Sequence, residues 1–325
     1  MTEFFCNLTD AATPLPHFWE HTVGSDHAPV ALRADWQSQL RRCRDELGFR
    51  YVRFHGLLSD DLGTLICHRE KFLYSFFNAD QIFDFLLSIG MKPFVELSFM
   101  PKALASWNTS SNPRDPLHDE PYAAAFVTKT VMEANGLVEG YSFWTFSDIF
   151  EENYFPSVPF HGGFGLMNLH GIPKPAYRAF ELLHQLGTEA LPVDGSHETV
   201  DAWVARKGQT LTVLVTNHAG PRHPVKTEQV QVVLRNAPGK CYAYVERIDE
   251  IHANPKRIWR EMGEPEYLSA GEVERLQDSS RMWKEPQSCE RVKDDLHLDL
   301  ILPPHAVAAI TVEFPSENGF GGART

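Results

Sequence analysis

Residues 35–56 read DWQSQLRRCRDELGFRYVRFHG, and this stretch decides the fold. Trp36, Leu40, Cys43 and Leu47 recur at close to the 3.6-residue helical period, and Gly48 supplies a stop signal. Directly behind it, Phe49-Arg50-Tyr51-Val52-Arg53-Phe54-His55-Gly56 reads as a short strand that ends in a polar residue. A helix running at once into a strand is one step of an alternating β/α chain, which implies a parallel sheet.

The same alternation continues outward. Asn78 is placed to cap a helix over Ala79–Ile89, which Gly90 closes, and Pro93–Phe99 is the next strand. Pro121–Ala134 reads as a helix, Gly140–Phe146 as a strand and Ala176–Leu186 as a last helix. With the opening His17-Phe18-Trp19-Glu20 segment, this makes four barrel-type strands. Near Thr188–Asp194 the character changes to alternating strands rich in Val and Thr. Val200–Arg206, Thr210–Asn217, Gln229–Leu234, Cys241–Ile248, Leu296–Leu302 and Ala306–Phe314 fit an antiparallel sandwich. Residues 254–290 interrupt it with a polar stretch holding one helix, Ala270–Leu276. The expected fold is therefore α/β plus all-β. Its parts are an N-terminal segment over 1–16 that could pair with the sandwich, a partial (β/α) barrel of the TIM type over 17–187, a β-sandwich over 188–316, and a frayed tail over 317–325.

Composition narrows the function. The chain has 325 residues, 43% of them hydrophobic, enough for a sizeable core. Its formal charge of −13 argues against phosphate-led nucleic-acid binding. No apolar run has the ~18 residues of a membrane span, and Met1–Phe5 lacks the basic start of a secretory signal, so a cytoplasmic setting is expected. The five cysteines have no metal-binding spacing and read as reduced thiols.

In a parallel barrel, function sits at the C-terminal ends of the strands. His55 ends the second strand, Glu96 lies near the end of the third, and Asp148, Glu151 and Glu152 follow the last. Trp107-Asn108 lies between, and Trp19, Trp144, Phe146, Phe150, Phe155 and Phe160 are the aromatics nearby. Carboxylates among aromatic faces suit a sugar, whose C–H faces stack and whose hydroxyls hydrogen-bond. Each has a plainer reading: His55 as a core histidine, Glu96 paired with an arginine, Glu151-Glu152 as a solvated loop, and the aromatics as core.

Resemblance sharpens this. His17–Ala28, Arg53-Phe54-His55-Gly56 and Phe94–Pro101 resemble the opening, second-strand and third-strand motifs of glycoside hydrolase family 39, the β-xylosidase and α-L-iduronidase family. The long runs Trp144–Glu152 and Phe160–Leu166 also resemble that family, on its β-xylosidase branch. So do Arg247-Ile248-Asp249-Glu250, His252–Pro255 and Pro265–Leu268. The resemblance implies a (β/α)8 barrel with an accessory sandwich and retaining hydrolysis by two glutamates, without a cofactor or metal. It implies sugar contacts at His55, Asn108, Trp144, Glu151, Glu152 and His161, with Glu96 in a supporting role.

The chain departs from the family where the chemistry lies. The family acid/base stands in an Asn-Glu-Pro motif, and this chain contains none. The family nucleophile precedes a Trp/Tyr-Asn pair, and here Ser106 precedes Trp107-Asn108. The third-strand motif runs straight into that pair, and the barrel portion of about 170 residues falls short of the roughly 200–250 of a full barrel. Strands four to seven and both glutamates are thus expected to be missing. Glu96 and Glu152 are the only carboxylates left with a weak claim to catalysis.

The expected function is that of a β-xylosidase-type hydrolase by descent, impaired as it stands, which would meet a xyloside or other small saccharide. Its open sheet edges invite a homo-oligomer. The alternatives are a non-catalytic carbohydrate-binding or scaffold protein, and an internally deleted or mis-spliced copy without function.

Overall fold

The computed structural model describes residues 1–68, 71–96, 115–138, 140–150, 156–220 and 223–315. Its α/β part is built on four parallel strands, in the spatial order Lys92–Val95, Tyr51–His55, Thr22–His27, Ser142–Phe143. Helices Ala34–Leu47, Phe77–Ser88, Pro121–Glu133 and Pro175–Gln185 alternate with them. The first helix buries Trp36, Leu40, Cys43 and Leu47, the residues whose period announced it, and ends at Gly48 with φ 73°. Burial of Cys43 raises its thiol pKa far above the ordinary range, so the residue is an inert core side chain.

The second helix starts earlier than its sequence suggests. Phe76 stands at its N-cap and Asn78 lies inside the first turn. The Asn78 side chain donates to the Leu62 carbonyl at 2.9 Å instead of capping its own helix. A tertiary acceptor has outcompeted the local one. The hairpin Leu65–His68 with Lys71–Tyr74 precedes that helix and carried no clear sequence signal.

Beyond Gly187 two sheets face each other. One contains Val200–Lys207, Thr210–Asn217, Ala306–Glu313 and Tyr242–Ile248, all antiparallel. The other contains Glu228–Arg235 and Asp295–Leu302, with Thr2–Asn7 joined in parallel to Glu228–Arg235. The N-terminus therefore belongs to the sandwich by backbone pairing. Val213, Val232, Leu298 and Ile310 fill the space between the sheets with no solvent exposure.

The two parts share one apolar core: Leu214, Val307 and Ala309 of the sandwich are continuous with Phe180 and Leu183 of the last α/β helix. Helix Pro121–Glu133 lies on the sandwich strand Ala306–Glu313. In this seam Tyr122 and Phe126 press on His218, which also meets His305. Burial, then the charges of His305 and Lys129, push His218 down to about 4. Among the described residues, no helix is long and apolar enough to cross a membrane.

Candidate active site

The C-terminal ends of the parallel strands bring His27, His55 and Trp144 together. The His55 ring lies 6.4 Å from the Trp144 ring and the His27 ring 6.3 Å from His55. Trp144 is half-buried and is flanked by Phe150, edge-on at 6.0 Å, and by the Arg53 guanidinium at 5.7 Å. Gly24 makes this possible: a Cβ there would lie 2.4 Å from the indole, so only glycine lets the ring cross the strand. A half-buried indole at the strand ends has the chemistry of a stacking platform for a sugar ring.

Glu96, Asp26, Asp61 and Asp148 at these strand ends each have a nitrogen partner. Glu96 pairs with Arg53, which matches the plainer of its two sequence readings. Asp26 accepts from the His27 ring at 3.0 Å, and Asp61 meets the other ring nitrogen at 3.0 Å. The Asp26 hydrogen bond outweighs burial and holds His27 above the ordinary histidine range. His27 lies in the opening motif, yet the sequence alone gave no reason to place it in the site.

Asp148 is set apart by depth. It is fully buried, 2.5 Å from Lys174, which also reaches Asp119 at 2.7 Å and donates to the Gly163 carbonyl at 3.0 Å. The ammonium is thereby enclosed by two carboxylates and one carbonyl. Burial disfavours charge on Lys174, but the two carboxylates more than offset it and hold its pKa above the ordinary lysine range. Asp119 accepts from the Gly162 amide and Asp148 from the Gly165 amide, both at 2.7 Å, so the network pins the loop that carries His161. At Gly163 a Cβ would sit 2.4 Å from Asp148 and 2.6 Å from His161 Nε2, which shows how closely this loop is drawn in. Burial holds the Asp148 carboxyl above the ordinary range, and the group is structural, with no face open to a substrate.

The polar stretch after Ile248 braces the same loop from the sandwich side. Asn254 caps helix Pro255–Glu261, which the sequence did not suggest because it is short and strongly charged. Its Trp259 packs on Phe160 at 5.6 Å. Its Lys256 reaches the Pro116 carbonyl at 3.0 Å and Glu120 at 3.1 Å.

Of the sugar contacts expected from sequence, His55 and Trp144 are brought together, and His161 sits on the pinned loop, half-buried, with Nδ1 at 3.1 Å from the Val158 carbonyl. Asn108, Glu151 and Glu152 lie outside the described residues, as does Ser106. Trp19, Phe146 and Phe160 are core side chains, as the plainer reading has it, while Phe155 is outside the described residues.

Comparison with known proteins decides the lineage. The model for glycosyl hydrolases family 39 matches residues 7–107 and again residues 105–294. The chain belongs to glycosyl hydrolase family 39. The β-xylosidase of Caldicellulosiruptor saccharolyticus is 32% identical over 464 residues, covering 91% of this chain and 95% of that protein. The β-xylosidase of Geobacillus stearothermophilus is 32% identical over 227 residues, 69% of this chain and 43% of that protein. The crystal structure of a monomeric β-xylosidase from Caulobacter crescentus CB15 superposes with a TM-score of 0.85 at 22% identity, covering 97% of this chain and 100% of the other. An aligned span of 464 residues against a chain of 325 leaves at least 139 positions with no residue of this chain opposite.

Proposed function

We propose that this family 39 chain is a shortened β-xylosidase-type hydrolase that still holds a small saccharide at its strand ends and no longer cleaves it. The observation that carries the reading is the family match, which breaks into two stretches overlapping only at residues 105–107. That break falls at Ser106-Trp107, where the sequence passes from the third-strand motif to the pair that follows the family nucleophile. The four parallel strands, with Lys92–Val95 and Ser142–Phe143 outermost among the described residues, fit half of a barrel.

Retaining hydrolysis needs two carboxylates ~5–5.5 Å apart across one bond. Glu96 is taken by Arg53, Asp148 by Lys174, and Ser106 would need an adjacent base to attack. Loss of a positioned acid alone commonly costs ~10²–10⁴-fold in rate. What remains is the holding of a ring: Trp144 supplies a face, and His55 and His161 supply polar edges, joined by Asn108, Glu151 and Glu152 on the strength of the resemblance. A pentoside is the substrate class this lineage favours. A second copy would cover the outer strands, and sedimentation at micromolar protein reads that directly.

Calorimetric titration with xylobiose tests the reading. Heat at millimolar sugar that vanishes in Trp144→Ala is the expected result. The clean join also suits an internally deleted copy without function, and no heat from the intact chain would favour that copy.

A further inference from the structure

At the opposite end of the sheet, three ligand-type side chains converge. His17 and Glu20 stand at the two ends of the short turn that leads into strand Thr22–His27, and His184 lies in the last turn of helix Pro175–Gln185. The Nδ1 atoms of His17 and His184 approach the same carboxylate oxygen of Glu20, at 2.6 and 2.8 Å. One ligand atom from each residue lies within 4.8 Å of the others. We propose that His17, Glu20 and His184 form a binding site for a divalent cation of the zinc class.

The donor set fits that class. Two imidazole nitrogens and one carboxylate oxygen suit zinc at ~2.0–2.2 Å in a tetrahedral arrangement, with water in the fourth position. Side-chain rotation would move Glu20 off the two Nδ1 atoms it now meets and would bring the buried His17 Nε2, which has no partner among the described residues, to an acceptor. In neutral rings, each proton moves from Nδ1 to Nε2. Two N–H···O bonds are thereby exchanged for two metal–nitrogen bonds and one metal–oxygen bond, with no net proton change.

The surroundings favour a built site over a chance contact. His17 is held by stacking on the fully buried Trp19, with ring centroids 4.6 Å apart. Gly48 clears the space behind: a Cβ there would lie 2.6 Å from His184 Nδ1 and 2.9 Å from the Glu20 carboxyl carbon. A cavity of about 450 Å³, lined by Pro16, His17, Phe18, Glu20, Arg50 and Val138, opens on the cluster and gives an ion a way in.

The location says what the ion would do. The strand Thr22–His27 separates this cluster from His55 and Trp144 by roughly 17 Å, at ~3.3 Å per residue, so the site is distinct from the sugar-holding end. Glu20 and His184 are 164 residues apart in sequence. A metal joining them would tie the entry of the α/β part to its last helix, constraining a long loop in the unfolded chain.

The test is titration of the intact chain with zinc alone, in competition with a chromophoric chelator, and repeated with cobalt(II) to read coordination from its visible bands. One equivalent should bind at micromolar concentration or tighter, with the strong absorption of tetrahedral cobalt. His184→Gln and His17→Gln should each weaken binding at least about tenfold. His218→Gln, in the other histidine pair, should leave it unchanged. Zinc should raise the melting temperature of the intact chain and not of His184→Gln. His184 is partly exposed, and circular dichroism of that variant confirms folding before the comparison is read. No binding below millimolar zinc, or binding that His184→Gln leaves intact, overturns the proposal.

Discussion

The main sandwich strands run for seven or eight residues and the parallel strands for two to six, and only the sandwich satisfies its own pattern. Its inward residues Val213, Val232, Leu298 and Ile310 are closed off from water by a second sheet from the same chain. Among the described residues the parallel sheet ends at strand Lys92–Val95, where Phe94 is 48% and Val95 45% exposed, and the neighbouring helix leaves Phe77 71% exposed. Two antiparallel sheets need only each other. Parallel strands need cover on both faces and, in a barrel, a full circle of neighbours. A sandwich can therefore stay closed beside a parallel sheet whose outer described strand is exposed.

The sharpest way to break this comparison is at the buried ion network. Lys174→Met leaves Asp148 buried without its cation and Asp119 with only the more distant Lys256 at 3.7 Å, a loss of about 3–5 kcal/mol. Hydrogen exchange should then show residues 162–165 and helix Pro175–Gln185 losing protection while strands Thr210–Asn217 and Ala306–Glu313 keep theirs. Uniform loss in both regions would mean the network supports the whole molecule, and the contrast would fail.

The converse cut is Ile310→Ala, which hollows the sandwich core at a cost of about 2–5 kcal/mol. Amides of the sandwich should open first, and the tryptophan fluorescence of the α/β core around Trp36 should follow later. Simultaneous loss would show that the shared core couples the two parts into one cooperative unit.

Acid acts on the seam between them. His218 is held down to about 4 in the folded chain, against about 6.5 for a free histidine. A depressed histidine stabilises the fold fully above the unfolded value, and that contribution is lost as pH falls from 6.5 towards 4. The full shift corresponds to about 3 kcal/mol, and solvent screening of this partly accessible ring trims the expected loss to about 2 kcal/mol. Melting temperature should decline over that window in the intact chain and more shallowly in His218→Gln. Equal slopes would remove His218 as the cause.

The smallest effect belongs to the outer strand. Phe94→Ser should change stability by no more than about 0.5 kcal/mol, because its side chain is half in water already. It should reduce self-association seen by light scattering. A large destabilisation would mean that Phe94 is packed in solution and that this edge is not open.

Much of the framework was legible in the sequence because it rests on local period. Helix Ala34–Leu47 declared itself through Trp36, Leu40, Cys43 and Leu47, and the sandwich strands fell within one or two residues of their sequence readings. What stayed hidden depends on distant partners. Asn78 carries a capping signal that the Leu62 carbonyl overrides. Lys174 is unremarkable in sequence until Asp119 and Asp148 meet it in space. Helix Pro255–Glu261 had its signals in Asn254 and Pro255, but its charged composition masked them. At the candidate site, His55 was legible as a strand-end residue and Trp144 through the family resemblance. His27 was not: Asp26 adjoins it in sequence, but Asp61 reaches it only through the turn after Tyr51–His55.

The central claim is that this family 39 chain lacks the carboxylates its lineage uses for hydrolysis. The direct test is release of chromophore from a β-xyloside by the purified 325-residue chain, beside a Glu96→Gln/Glu152→Gln double variant. The account predicts no turnover by the intact chain above that of the variant. Turnover by the intact chain that the double variant abolishes would contradict it and would mean that a working pair of carboxylates has been rebuilt.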